Sequence, residues 1–178
     1  MNEIHRSVKG EVASLRQRLD KTQEQLRRAE VTLTISQRIA GKEGLTEILW
    51  LLVDLTVKEL DAERGSLFLN DPSSGELYSR IAQGDLTREI RLLNTTGIAG
   101  AVFQNGLGEI IHKPYEDERF NLEIDQQTGY VTKNILCAPI INARGEILGV
   151  IQILNKKKGR FKKIDLEILE AICTQASV

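Results

Sequence analysis

The sequence predicts an α+β fold: one mainly antiparallel sheet with helices at both chain ends, preceded by a long N-terminal coiled-coil helix. Three observations carry this expectation. Residues 1–40 contain no proline and a single glycine, Gly10, and their apolar residues recur at alternating steps of four and three. Between Gly65 and Leu154 the apolar residues come in short runs broken by turn-forming sequences. A second helical pattern precedes those runs and another follows them.

The first helix carries a seam of Val8, Val12, Leu15, Leu19, Thr22, Leu26, Ala29, Leu33, Ser36 and Ala40. This is an unbroken heptad pattern with Leu at three a positions and weaker residues at d. Glu11 at g and Arg16 at the next e attract each other in a parallel, in-register dimer. The stripe is narrow and long, which favours a parallel homodimeric coil over a single amphipathic helix lying on its own domain. Thr22 and Ser36 weaken the seam, so the dimer needs support from the globular part.

A break at Gly41-Lys-Glu-Gly44 separates residues 1–40 from a domain at 45–178. The second helix spans about Leu45 to Leu60, with Ile48, Leu51, Leu52, Leu55 and Glu59 at helical spacing and Trp50 and Val53 widening the apolar face for burial on a sheet. Gly65–Leu69 and Leu77–Gln83 read as a hairpin around Asn-Asp-Pro-Ser-Ser-Gly-Glu, followed by a strand near Glu89–Leu93. Asn94, Thr95 and Thr96 offer caps for a helix that stops at Asn105-Gly106. A short strand at Gly108–His112 leads into a polar stretch from Pro114 to Tyr130 with room for a helical turn or two. Two strands, Asn134–Ile141 and Glu146–Leu154, meet at the tight turn Asn142-Ala-Arg-Gly145. A last helix starts near Lys163, and nothing in its ending QASV caps it, so it is expected to run on into a further domain. The segment from Lys113 to Thr132 is long for a connection in a compact domain and reads as a lid or binding loop.

Composition narrows the function classes. Apolar residues make up 41% of 178, enough for a core, and 24 Lys+Arg against 25 Asp+Glu leave a net charge of −1. Nucleic-acid binders usually carry excess positive charge, so nucleic acid is not an expected partner. No apolar run approaches a membrane span and the N-terminus lacks a signal-peptide core, so no membrane contact and a cytoplasmic location are expected. Cys137 and Cys173 both sit in apolar segments, as buried reduced thiols do. No phosphate loop, zinc spacing or Ser/His/Asp set is present, so neither catalytic nor metal-binding residues are assigned.

The run RGSLFLND, the GIAG at 97–100, the segment YEDERFNLEIDQQTGYVTKNILCAP and the ending GVIQILNK resemble a GAF domain. The resemblance is to GAF domains of the cyclic-nucleotide type, found in mammalian phosphodiesterases and cyanobacterial adenylyl cyclases. It implies a GAF-like sheet, no catalysis by this chain, no cofactor, and cAMP or cGMP as the ligand. It also implies a structural clasp of Asn155, Lys156, Phe161 and Asp165, in which Lys156 pairs with Asp165; Leu166 stands where the family has a glutamate. The signal would then pass through dimeric helices to a cyclase, kinase or phosphatase outside this sequence. A dimerisation module with an empty pocket, or one filled by another small molecule, is the competing reading.

A cyclic nucleotide needs donors for its phosphate, an apolar wall for its base and a polar group at the base edge. The helix start at Gly97 supplies unpaired backbone N–H groups and the positive end of a helix dipole. The resemblance puts the phosphate near Ile98 and Ala99 and adds Thr128 and Thr132 as hydroxyl donors. It also assigns ligand contacts to Asn121 and Asp125 in the lid and to Ser66 and Gln152 on the sheet floor. Ala82 and Gln83 stand where the family often has an aromatic–acid pair at the base edge. Without the resemblance, the same residues read as helix caps and loop closures.

Other chemistries find little support. The run Lys156, Lys157, Lys158, Arg160, Lys162, Lys163 reads as a solvated loop. His112 lacks a second histidine for haem, and Ile111 stands where a bilin-binding domain would carry its cysteine. The two cysteines have no partners for the dithiol chemistry of GAF-type methionine sulfoxide reductases.

Overall fold

The computed structural model describes residues 2–39, 44–83 and 89–176; the side chains of residues 2–8, 35, 36, 38, 39, 45, 127, 128, 175 and 176 are outside it. The side chains of Val8, Ser36 and Thr128, residue Ala40 and the break at 41–43 therefore lie outside the described residues. In chain order the elements are α1 (Asn2–Ile39), α2 (Leu45–Glu59), β1 (Ala62–Asp71), β2 (Glu76–Ala82), β3 (Arg91–Leu93), α3 (Gly97–Asn105) and β4 (Glu109–Ile111). A 3₁₀ turn (Pro114–Glu116), α4 (Leu122–Thr128), β5 (Ile135–Ile141), β6 (Ile147–Lys156) and α5 (Lys163–Ala176) follow.

The strands form one six-stranded sheet in the order β3-β2-β1-β6-β5-β4, with every pairing antiparallel. Alternation along the strands divides their side chains between two faces. Leu67, Leu136, Ile151 and Ile153 point to one face and pack with Leu52 and Val53 of α2 and Ile168 and Ile172 of α5. Their neighbours Phe68, Ile135, Cys137 and Val150 point to the other and pack with Ile98 and Val102 of α3. The second core is smaller, and it leaves room beneath the lid. β1 and β6 approach closely at Gly149, where a Cβ would collide with the Phe68 carbonyl oxygen.

Two expectations change in three dimensions. Trp50 is not part of the buried face of α2; it is 51% exposed, while Leu49, Leu52, Val53, Thr56 and Val57 are buried. The helix turns its Leu49–Val57 meridian to the sheet, and its other stripe runs beside α1, where Glu59 accepts from Arg27 at 3.2 Å. The second change is at the start of α3. Thr96 is the N-cap residue, but no side chain caps the helix. The Asn94 amide donates instead to Asn70 at 3.0 Å. At its far end α3 stops as the sequence predicts, with Gly106 left-handed at φ 70°.

α1 joins the domain through Val31, which is buried in the helix-side core. Its heptad seam faces away: Val12, Leu15, Leu19, Leu26 and Leu33 are 42–59% exposed.

Candidate ligand site

The open face of the sheet, α3 and the lid enclose a cavity of about 110 Å³ whose mouth opens to solvent. Phe68, Ile135, Gln152 and Leu154 form its floor, Thr96 to Ala99 one wall, and Phe120, Asn121, Ile124, Asp125 and Thr132 the lid side. The strand register explains the floor. Ala82, Ser66, Gln152 and Cys137 are successive partners across β2, β1, β6 and β5, so they make one row on the lid side of the sheet. Among the described residues the Gln152 side chain makes no hydrogen bond, which leaves an amide donor and acceptor at the cavity.

The wall at α3 presents backbone N–H groups to the site. The first bond of the helix runs from Gly100 N to Thr96 O at 3.1 Å, so the N–H groups of Gly97, Ile98 and Ala99 precede the intrahelical ladder. Gly97 has φ +74°, a left-handed conformation natural to glycine. With no side-chain cap, three amides and the positive end of the helix dipole border the cavity.

The lid is held by Asp125. Its Oδ2 accepts from Thr132 N at 2.7 Å and from the Tyr115 hydroxyl at 2.8 Å; its Oδ1 accepts from Thr132 Oγ1 at 2.9 Å. The carboxylate is buried, and three donors replace the water it has lost. The bond to Asp125, together with desolvation, raises the Tyr115 phenol above its ordinary pKa. Asn121 accepts from Glu123 N at 2.9 Å and so caps α4, while Gly129 at φ 69° ends that helix.

Beyond the lid the chain is tied to the end of β6. Asn155 stands in the left-handed region at φ 57°. Its Oδ1 accepts from Lys133 N at 2.6 Å, and its Nδ2 donates to Val131 O at 2.8 Å and Glu63 Oε2 at 3.0 Å. Burial works against the Glu63 carboxylate, but bonds from Asn155 and Tyr130 and the charges of Lys133 and Arg64 hold it below its ordinary pKa. One residue on, Lys156 Nζ lies 2.9 Å from Asp165 Oδ1 and 3.0 Å from Leu60 O, with the Phe161 ring centroid 5.6 Å away. Asp165 Oδ2 accepts from Lys162 N at 2.8 Å. Leu166, at the family's glutamate position, packs against the helix-side core.

Of the ten ligand contacts expected from the sequence, the cavity brings together Ile98, Ala99, Asn121, Asp125, Thr132 and Gln152. Ser66 and Ala82 share the Gln152 row without lining the cavity, and the Gln83 Oε1 accepts from Gly65 N at 3.1 Å. Thr128 is the last residue of α4, and its side chain lies outside the described residues. Sequence reasoning missed Tyr115 and Phe120, whose ring centroids lie 5.3 Å apart; aromatics within a stretch rich in polar residues were the available signal.

Desolvation pushes both thiols up, Cys137 and Cys173 being fully buried, and the Cys173 sulfur faces the Ala138 carbonyl. No cluster of His, Cys, Asp or Glu that could hold a metal occurs among the described residues, and no described helix is long and apolar enough to cross a membrane.

A six-stranded antiparallel sheet with α2 and α5 on one face and α3 and a lidded cavity on the other defines the architecture as a two-faced α+β domain. A family model described as "GAF domain" matches residues 44–178, and the chain belongs to that family. It is 40% identical over 131 residues to the Caenorhabditis elegans protein named "Probable 3',5'-cyclic phosphodiesterase pde-5", covering 67% of this chain and 18% of that protein. It is 39% identical over 129 residues to the Drosophila melanogaster "Dual 3',5'-cyclic-AMP and -GMP phosphodiesterase 11", covering 63% of this chain and 9% of that one. The chain thus spans less than a fifth of either relative, and the match is to their GAF parts. Among solved structures, the GAF domain of a Coxiella burnetii phosphoenolpyruvate-protein phosphotransferase superposes with a TM-score of 0.77 at 20% identity, covering 85% of this chain and 91% of that one. At that identity the likeness shows the fold alone.

Proposed function

We propose that the cavity binds a 3',5'-cyclic nucleotide and that the domain is a regulatory sensor rather than an enzyme. The observation that carries this reading is the uncapped N-terminus of α3, whose three free amides border an otherwise mostly apolar cavity. One end suits a singly charged cyclic phosphate; Phe68, Ile135 and Leu154 suit a base. The relatives named as cyclic-nucleotide phosphodiesterases favour this ligand over other anions of similar size. Ile98, Ala99, Asn121, Asp125, Thr128, Thr132 and Gln152 would make the contacts, with Ser66, Ala82 and Gln83 at the margin. Small-molecule sites usually occupy about 300–1,000 Å³. A cavity of about 110 Å³ therefore needs α4 and the turn before it to move outward as the nucleotide enters. That movement is what the sensor would report, through α1 and α5, to an effector beyond this chain.

Calorimetry with cAMP and with cGMP tests the reading. Wild-type protein is expected to bind at least one of them and to melt at a higher temperature in its presence. No heat and no thermal shift with either at millimolar concentration would end it. Thr132→Ala is expected to weaken binding by about 1–3 kcal/mol, because the Thr132 hydroxyl, turned from Asp125, donates to a charged phosphate.

The exposed seam of α1 supports a parallel homodimer in which the two first helices form a coiled coil. Light scattering at about 100 μM is expected to give a dimer, and deletion of residues 1–40 is expected to weaken it while nucleotide binding survives. The competing reading, a dimerisation module with an unused cavity, predicts the dimer without the heat.

A further inference from the structure

The sequence has three tyrosines, and the fold treats them differently. Tyr78 is half-buried on β2, with the Arg91 guanidinium 5.3 Å from its ring centroid. Tyr130 is half-buried beneath Arg64, 4.2 Å from its ring centroid, and donates its hydroxyl to Glu63 Oε2 at 2.9 Å. Tyr115 is 52% exposed, on the 3₁₀ turn at the head of the lid. Three acidic residues, Glu116, Asp117 and Glu118, follow it directly. The turn rests on backbone bonds from Glu116 N to Lys113 O at 3.1 Å and from Asp117 N to Pro114 O at 3.0 Å, so little structure has to open to extend the segment.

What the exposed ring holds is buried. Of the three donors to the Asp125 carboxylate, two belong to Thr132, which is buried, and the third is the Tyr115 hydroxyl, 2.8 Å from Oδ2. The Tyr115 ring also packs on Phe120, which lines the cavity. Chemistry at one solvent-facing oxygen therefore reaches both the latch of the lid and the wall of the cavity.

We propose that Tyr115 is a phosphorylation site and that esterification of its hydroxyl releases the lid. The phenol oxygen attacks the γ-phosphorus of a nucleoside triphosphate held by a tyrosine kinase. The bond from phosphorus to the β,γ-bridging oxygen breaks as the new O–P bond forms; the nucleoside diphosphate leaves, and the phenol proton passes to the kinase's base. The acidic run after Tyr115 suits a kinase whose substrate groove is basic. The product loses the donor to Asp125 and sets a group of charge about −1.5 to −2 against that carboxylate. The lysine and arginine that flank it cannot relieve the repulsion without breaking other pairs: Lys113 is held by Glu116, and Arg119 by Glu109 and Asp117. The phosphorylated ring must swing into solvent, Phe120 loses its neighbour, and Asp125 keeps only the Thr132 donors.

The test uses the full chain, magnesium ATP and a tyrosine kinase domain that phosphorylates residues 113–119 as a free peptide. Mass spectrometry locates the phosphate, and amide exchange over residues 121–133 reads the lid without any ligand, so failure of the cyclic-nucleotide reading leaves this result intact. Tyr115 is expected to be modified at least about tenfold faster than Tyr78 or Tyr130, and the modified lid to exchange at least about 30-fold faster. Tyr115→Phe is expected to stay unmodified at this position and to exchange less than about fivefold faster, since it loses the bond without gaining the charge. In Asp125→Asn, which lacks the repelling charge, phosphorylation is expected to change lid exchange less than about fivefold. A folded chain that resists the kinase at Tyr115 overturns the proposal, as does a phosphorylated chain whose lid exchanges like the unmodified one.

Discussion

Replacing Asp165 by alanine is expected to lower the stability of the ligand-free domain by about 3–5 kcal/mol, the usual result of removing one partner from a buried ion pair. Asp165 and Lys156 keep 4% and 16% of their side-chain surface exposed, and their charged atoms lie 2.9 Å apart. Alanine leaves the ammonium group with the Leu60 carbonyl as its remaining hydrogen-bond acceptor among the described residues. It also strips the Lys162 N–H of its acceptor at the start of α5 and removes the acidic residue from that helix's first turn. For a domain of this size the loss corresponds to a melting temperature lower by roughly 10–20 °C. Asp165→Asn keeps an acceptor for Lys162 N–H and should recover part of the loss. A melting temperature within 2–3 °C of wild type for Asp165→Ala would mean that the pair contributes nothing net to stability.

Asp125→Ala acts elsewhere. It removes the acceptor for three donors, and hydrogen bonds to a charged group are worth about 1.5–3 kcal/mol each. The lid can open, however, and water then takes over the Thr132 and Tyr115 donors. The damage is therefore expected to be local: amide exchange across residues 121–133 faster by about 100-fold, nucleotide affinity weaker by at least about tenfold, and a fall in melting temperature less than half that of Asp165→Ala. Asp125→Asn can keep the Thr132 N–H and Tyr115 bonds on one oxygen, and its amide can donate to the Thr132 hydroxyl, so it should behave much more like wild type. Hydrogen exchange and differential scanning calorimetry separate the two effects. Equal thermal damage from Asp125→Ala and Asp165→Ala would show that the segment is part of the structural framework and not a lid.

Much of the fold was legible before any coordinates, for a definite reason. The 3.6-residue and two-residue periodicities, the glycine that ends α3 and the turn between β5 and β6 depend on contacts within a few residues of chain. The long GAF-like motif around residues 115–139 was legible as a pattern as well. Of the candidate contacts read from the sequence, six line the cavity, whereas the Gln83 amide is used within the β1–β2 pair.

By itself the sequence determined the kinds and order of elements, the seam on α1, the absence of a recognisable catalytic motif and the α+β class. Each follows from local spacing or from which side chains exist at all. Only the tertiary structure decided which side of each helix is covered and which polar groups are already committed. Trp50 is exposed because α2 turns its Leu49–Val57 meridian to the sheet, a choice that depends on where β1 and β6 lie. Asp125 is a latch because folding brings Tyr115 and Thr132, ten and seven residues away, to its two oxygens. Asn155 and Glu63 meet across 92 residues. A carboxylate or an amide has the same formula whether it faces a ligand or closes a loop; its partners in space, brought together by the packing of a distant apolar core, decide between the two.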